Sequence, residues 1–239
     1  MAIDLDLIVE RHVREFNKKR LGSVQELRVA TLLRRKNPYL FVARQTATHE
    51  TLAASLVAAT LSSSEETQFG NTLEGIAIDV CAAAYGGYKS AATGIDLEFI
   101  RDEVRYLVSI KSGPSWGNSS QIATLERNFS DALKVIRQNN QRANVQAING
   151  CCYGRCDKHT GLYRKVCGSA FWELISGEPD LYQELVESLI GAATNGFQEE
   201  VNQAIGQVEA ELRQEWSDQE GHLDWLRILE HNSKTRDTQ

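Results

Sequence analysis

Residues 94–113 read GIDLEFIRDEVRYLVSIKSG, and the fold turns on how this stretch pairs with itself. The runs 95–100 and 104–111 are rich in β-branched and aromatic residues, and Arg101, Asp102 and Glu103 separate them. This pattern predicts an antiparallel hairpin. With the turn midway between Asp102 and Glu103, Asp96 falls opposite Ser109, and Lys111 lies one same-face step further along the second strand. Side chains two apart share a face of a strand. Asp96, Ser109 and Lys111 therefore share one face, while Tyr106, Val108 and Ile110 occupy the other. The second face is expected to meet the core, leaving the polar face as a cleft.

On the N-terminal side of the hairpin the period is helical. Residues 3–18 place Leu5, Ile8, Val9, Val13 and Phe16 on one stripe. A second helix is expected from Glu26, with Pro38 ending or interrupting it. A third covers Thr51 to Leu61 and closes in the polar run SSSEET. A fourth carries Leu73, Ile76, Ala77, Val80, Cys81 and Ala84 and stops at Gly86-Gly87. On the C-terminal side, a polar loop leads to a helix over 120–139, and Asn144 to Asn149 reads as a strand. Residues 169–192 are expected to be helical. Residues 197–216 carry a narrow apolar stripe (Phe197, Val201, Ile205, Val208, Leu212, Trp216) suited to packing on a helix of this chain or of a second subunit. The tail NSKTRDTQ reads as disordered.

The chain has 239 residues, 42% of them hydrophobic, enough for one sizeable core. Helical ends and a strand-like middle predict an α/β (α+β) architecture. Three regions are expected: N-terminal helices over 1–62, a core over 63–192, and C-terminal helices with the tail over 193–239. No apolar run has the length of a membrane span, and the start MAIDLDLIVERHV carries acids where a secretory signal carries lysines. The expectation is a soluble, cytoplasmic protein. An odd count of five cysteines agrees with that compartment. Cys151, Cys152, Cys156 and Cys167, with His159 between them, lack the paired C-x₂-C spacing of a zinc ribbon. They read as buried small hydrophobes at a strand end.

Net charge is −6, unevenly distributed. Residues 1–44 hold ten Lys or Arg against five acids, whereas residues 173–239 hold four against fifteen. A basic end of this size can touch phosphates or can be a solvated helix face. The sequence contains no Walker loop, no GxGxxG ahead of a helix and no H-E-x-x-H.

An acid and a lysine on one strand face suit phosphodiester hydrolysis. Carboxylates hold Mg²⁺ beside the scissile phosphate, and an ammonium orients the attacking water and stabilises developing charge. One carboxylate is too few. Glu98, on the same face as Asp96, is one candidate for a second. Glu74, at the margin of the fourth helix's apolar stripe, is another. Asn71-x-x-Glu74 also matches a capping box, in which Glu74 folds back on the helix start.

The segments GIDLEF, YLVSIKSGPSWGNSSQ and AINGCCYGR, with FGNTLEGIA ahead of them, resemble those of type II restriction endonucleases of the PmeII-like group, within the PD-(D/E)xK nuclease superfamily. The resemblance runs over most of residues 5–190. It implies a restriction-endonuclease-like core, a central mixed sheet flanked by helices, with additional N- and C-terminal helices. It also implies catalytic Asp96, Lys111, Glu74 and Ser109, with Asp96, Glu74 and the Ile110 carbonyl as metal ligands. Ser109 departs from the pattern, which has an acid there; Glu74 would restore the missing charge. Trp116, Asn118, Ser119 and Gln121 are candidate DNA contacts, because amide and hydroxyl groups match base-edge donors and acceptors. Ser119 or Ser120 can instead cap the following helix.

The function implied is Mg²⁺-dependent cutting of both strands of duplex DNA at a short palindromic site, by a homodimer in a bacterial cytoplasm, with no membrane partner. A repair or recombination nuclease on the same core and a catalytically inactive DNA-binding module are the alternatives.

Overall fold

The computed structural model of the chain describes residues 3–192 and 197–234. The hairpin forms as the sequence predicts, from β1 (Leu97–Arg101) and β2 (Val104–Lys111). Its turn is the two residues Asp102 and Glu103, at φ 51° and 61°. Two successive left-handed residues make the reverse turn whose twist matches that of the strands. Pairing runs from Arg101↔Val104 to Leu97↔Val108, and the Asp96 amide donates to the Val108 carbonyl at 2.8 Å. Asp96 therefore stands opposite Ser109.

From β2 the chain crosses through α5 (Ser119–Asn139) to β3 (Val145–Cys151), which lies parallel to β2 with Ser109 beside Asn149. Two short strands that the sequence reading did not anticipate, β4 (Asp157–His159) and β5 (Arg164–Cys167), complete the sheet. β5 is parallel to β3 and antiparallel to β4. The mixed sheet has the order β1-β2-β3-β5-β4. Strands of three and four residues with a Lys-Arg-Lys composition give too few alternating positions to be read from pattern.

Both faces of the sheet are covered. On one, Leu97, Phe99, Val108, Ile110 and Ile148 pack with Ile76, Val80, Phe171 and Trp172, from the second half of α4 (His49–Tyr85) and from α6 (Ser169–Ser176). On the other, Leu107 and Ala147 pack with Leu125 and Phe129 of α5. The polar face expected to be open is thus a core face along most of its length, and only the Lys111 end remains a cleft. Gly150 allows the close packing on the first face: a Cβ there would stand 2.2 Å from the Phe171 ring.

By packing, the chain forms two compact units, residues 1–15 with 69–193 and residues 16–68 with 194–239, where chain length alone suggested one core. The second unit has a core of its own, in which Leu32, Leu52 and Leu56 meet Val208, Leu212 and Trp216. Its helices are the rest of α1 (Leu5–Gln25) and of α4, α2 (Val29–Arg35), α3 (Pro38–Ala43), α8 (Phe197–Glu215) and α9 (Trp225–Ser233). The α8 stripe is therefore satisfied within the chain. Pro38 opens α3 rather than ending α2, with Asn37 accepting from the Tyr39 amide at 3.0 Å. Asn232, expected in a disordered tail, lies in α9 and donates to the carbonyls of Leu33, Arg34 and Lys36. Residues 235–239 lie outside the described residues.

The largest correction concerns SSSEET. It does not break the helix: α4 runs unbroken for 37 residues. The hydroxyls of Thr60, Ser63 and Thr67 donate back to the carbonyls of Leu56, Ala59 and Ser63, so they act within the helix rather than competing with it. Glu65 pairs with Arg20 at 2.8 Å. Residues 169–192 divide into α6 and α7 (Leu181–Ala192), because Gly177 leaves the helix at φ 82°. Among the described residues no helix is long and apolar enough to cross a membrane.

Gly150→Ala should destabilise the protein by about 1–3 kcal/mol, since the added methyl forces the Phe171 ring aside. Urea denaturation followed by circular dichroism measures this, and a stability equal to that of the parent would contradict the packing.

Candidate active site

The C-terminal end of β2 gathers the polar groups. Asp96 Oδ2 accepts from the Ile110 amide at 2.6 Å and from the Ser109 hydroxyl at 3.3 Å. Lys111 Nζ donates to the Ile110 carbonyl at 2.9 Å and lies 3.9 Å from Asp96 Oδ2. Asp96, Ser109, the Ile110 carbonyl and Lys111 thus meet as the pairing predicts. Ser109 supplies no charge, but its hydroxyl helps hold the Asp96 carboxylate.

Glu74 reaches this place from α4. Position 74 is inside a continuous helix, so the capping-box reading of Asn71 and Glu74 is excluded. Burial first, and then the Asp96 carboxylate, push the Glu74 carboxyl above the usual carboxylate range, while Lys89 and Lys111 oppose the shift. Lys89 Nζ lies 3.9 Å from Glu74 Oε1. A second carboxylate near enough to raise the proton affinity of Glu74 is an arrangement that a bound cation would relieve. The oxygens of both carboxylates, with the Ile110 carbonyl, are a hard donor set matched to Mg²⁺.

Glu98 has a different role. Burial raises its proton affinity, but hydrogen bonds from Ser90 and Arg105 outweigh this and hold the carboxyl below the usual range. Arg105 Nε donates to Glu98 Oε2 at 3.0 Å, and the Tyr88 hydroxyl lies 3.3 Å from the same oxygen. Glu98 is committed to this buried group.

The loop after Lys111 differs from a freely exposed reading surface. The Trp116 indole N–H donates to Asn149 Oδ1 at 3.0 Å. Asn118 is the N-cap of α5 and forms a reciprocal capping box with Gln121, so neither Ser119 nor Ser120 is the cap. The carboxamide oxygens of Asn118 and Gln121 are therefore engaged, while both residues and Ser119 stay exposed. Trp116, Gln121, Asn128, Gly94, Ser109 and Lys111 line a cleft of about 450 Å³. Asn149 escaped the sequence reading. Its signal was a polar residue in the otherwise apolar strand AINGCC, in register with Ser109.

The cysteines behave as hydrophobes. Cys151, Cys152 and Cys167 are buried, and burial pushes the Cys151 and Cys152 thiols up to about 12. Among the described residues no cluster of three or more His, Cys, Asp or Glu side chains is placed to hold a metal. The Asp96 site has two such side chains, and its third oxygen comes from the backbone.

No curated protein sequence matches the chain. The family model for the type II restriction endonuclease EcoO109I matches residues 3–196, a span that includes the hairpin, Glu74 and the whole sheet. The chain belongs to the EcoO109I family of type II restriction endonucleases.

Proposed function

We propose that the protein hydrolyses phosphodiester bonds in both strands of duplex DNA at a short palindromic site, with Mg²⁺, from a PD-(D/E)xK core. The observation that carries this reading is the meeting of Asp96, the Ile110 carbonyl and Lys111 at one strand end, with Glu74 close to Asp96. The finer PmeII-like grouping rests on the segments GIDLEF, YLVSIKSGPSWGNSSQ and AINGCCYGR.

Asp96, Glu74 and the Ile110 carbonyl are the residues that would hold the cation. When bound, it neutralises charge on the scissile phosphate and acts as a Lewis acid there. Lys111 Nζ already donates to one of these oxygens, which keeps its ammonium beside the place where the phosphate and the attacking water would meet. Its ammonium orients that water and offsets charge developing on the phosphoryl oxygens. Ser109 keeps the Asp96 carboxylate turned toward the site. Glu74 supplies the charge that an acid at position 109 would otherwise bring.

Of the residues expected to contact DNA, Asn118, Ser119 and Gln121 stand at the exposed start of α5 beside the site and are kept as candidate contacts, whereas the Trp116 indole N–H is taken by Asn149. Part of the N-terminal basic excess is paired within the chain: Arg11 with Asp79, Arg14 with Glu10 and Arg20 with Glu65. A role of residues 1–62 in DNA contact or dimerisation, and of residues 193–239 in dimerisation, is part of the proposal. A homodimer follows from two-fold logic, one subunit for each strand of a palindrome. Since the α8 stripe is packed within the chain, it lends the dimer no support. Sedimentation with DNA present should give a dimer, and a monomer at all protein concentrations would remove this part.

Ser109 in place of an acid is the feature that favours a catalytically inactive DNA-binding module. Asp96→Ala and Lys111→Ala should each abolish plasmid cleavage in Mg²⁺ while binding in Ca²⁺ persists. Discrete bands from the parent protein support restriction, a smear supports a repair or recombination nuclease, and binding without any Mg²⁺- or Mn²⁺-dependent cutting supports the module.

Glu74→Gln should remove cleavage with little loss of stability. Glu98→Ala should cost about 2 kcal/mol by stranding Arg105, while the folded fraction still cuts. Because the folded-state proton affinity of Glu74 is raised, its ionisation opposes folding. That cost is absent below the ordinary carboxylate range and grows as pH rises through the shifted value. In cation-free buffer, Glu74→Gln should therefore raise Tm at pH 8 and leave it unchanged at pH 4. Adding Mg²⁺ should raise Tm in the parent more than in the variant; equal gains would exclude Glu74 as a ligand.

A further inference from the structure

The segment that follows Lys111 is held against the sheet at several points. Lys165 Nζ donates to the Pro114 carbonyl at 2.6 Å. A Cβ at Gly113 would stand 2.3 Å from the Tyr153 ring, and one at Gly154 would stand 2.5 Å from Pro114. At the end of this segment Trp116 turns back over the sheet, with its indole N–H on Asn149 Oδ1 at 3.0 Å.

Asn149 is fully buried, at 0% exposure. Its two polar atoms point in two directions: Oδ1 accepts from Trp116, and Nδ2 donates to the Ser109 carbonyl at 3.3 Å. A buried carboxamide that links two neighbouring segments is expensive to leave unpaired, so it holds both in place. The Trp116 ring, fixed in this way, has the Lys111 ammonium 5.4 Å from its centroid. A cation at that distance from an indole face is attracted by it. Lys111 thus contacts the Ile110 carbonyl and Asp96 at the strand end and the Trp116 ring from the loop that follows.

We propose that Trp116, anchored by Asn149, is the positioning residue for the Lys111 ammonium. This rests on reading Lys111 as the catalytic lysine. The ring gives the ammonium a resting place beside the Asp96 and Ile110 oxygens, so that Lys111 stays at the site when a divalent cation engages them. Trp116 then acts through Lys111 and not through the bases of the DNA.

The charged groups that face Lys111 are Asp96, from the lead-in to β1, and Glu74, from α4. The Trp116 indole N–H and the Asn149 carboxamide bond to each other and to the Ser109 carbonyl, not to either carboxylate.

Single-turnover plasmid cleavage at saturating enzyme in Mg²⁺, with DNA binding in Ca²⁺ and thermal melts as controls, tests the proposal. Trp116→Leu and Asn149→Leu should slow the cleavage step by about 10- to 100-fold with binding unchanged, and Trp116→Phe, which keeps a ring, should retain more activity than Trp116→Leu. The Trp116 emission, taken as the difference between parent and Trp116→Phe, should change when Lys111→Met removes the ammonium; this reading requires no activity and no stable Leu variant. A wild-type cleavage step in Trp116→Leu, or a Trp116 emission unaffected by Lys111→Met, overturns the proposal. Lost Ca²⁺ binding with a normal cleavage step overturns it in favour of a DNA contact. Cleavage by Lys111→Ala would instead overturn the underlying assignment of the lysine.

Discussion

The reverse turn at Asp102 and Glu103 is the constraint on which the site depends. Both residues sit in the left-handed region, and a two-residue turn of this kind admits one register between its strands. That register puts Asp96 across from Ser109 and lets the Asp96 carboxylate take the Ile110 amide. A slip of one residue would turn Asp96 to the face occupied by Val108 and Ile110, where an acid has no partner. The same register also seats Leu97 and Phe99 in the core. The geometry of the candidate site and hydrophobic burial are therefore set together, and neither can shift without the other.

The remaining groups arrive from elements distant in sequence. β3 brings Asn149 beside Ser109, β5 brings Lys165 beside Asn149, and the two side chains hold the loop that follows Lys111. α4 brings Glu74 close to Asp96 at the cost of placing two carboxylates together in a partly buried setting, which raises the proton affinity of Glu74. Electrostatic strain of this kind is what the proposed cation would relieve. Glu98 sits on the same strand as the site, yet Arg105, Ser90 and Tyr88 occupy it, so its charge is spent on the fold.

Local pattern made the hairpin legible, because period-two alternation and a two-residue turn are properties of a short stretch of chain. The helices before and after it were legible in kind but not in extent. SSSEET looks like a boundary by composition; its hydroxyls bond back along α4, and Arg20 pairs with Glu65 in the same helical unit, so the helix continues. The strands β4 and β5 are too short to carry a period; β5 forms on the edge that β3 offers, and β4 on the edge of β5. Asn118 and Gln121 show the opposite limit: their side-chain types suit base readout, and only the structure reveals the capping box that engages them.

The sequence by itself determined the face shared by Asp96, Ser109 and Lys111, since strand alternation and turn length are local and leave no choice of partner. It also identified Glu74 as a candidate, and here its reach ended. Whether Glu74 capped a helix or faced the hairpin depended on the continuity of α4 through residues 62–71, and whether Glu98 was available depended on Arg105. Those questions concern which distant groups compete for a charge, and burial and contact decide them only once the chain has folded.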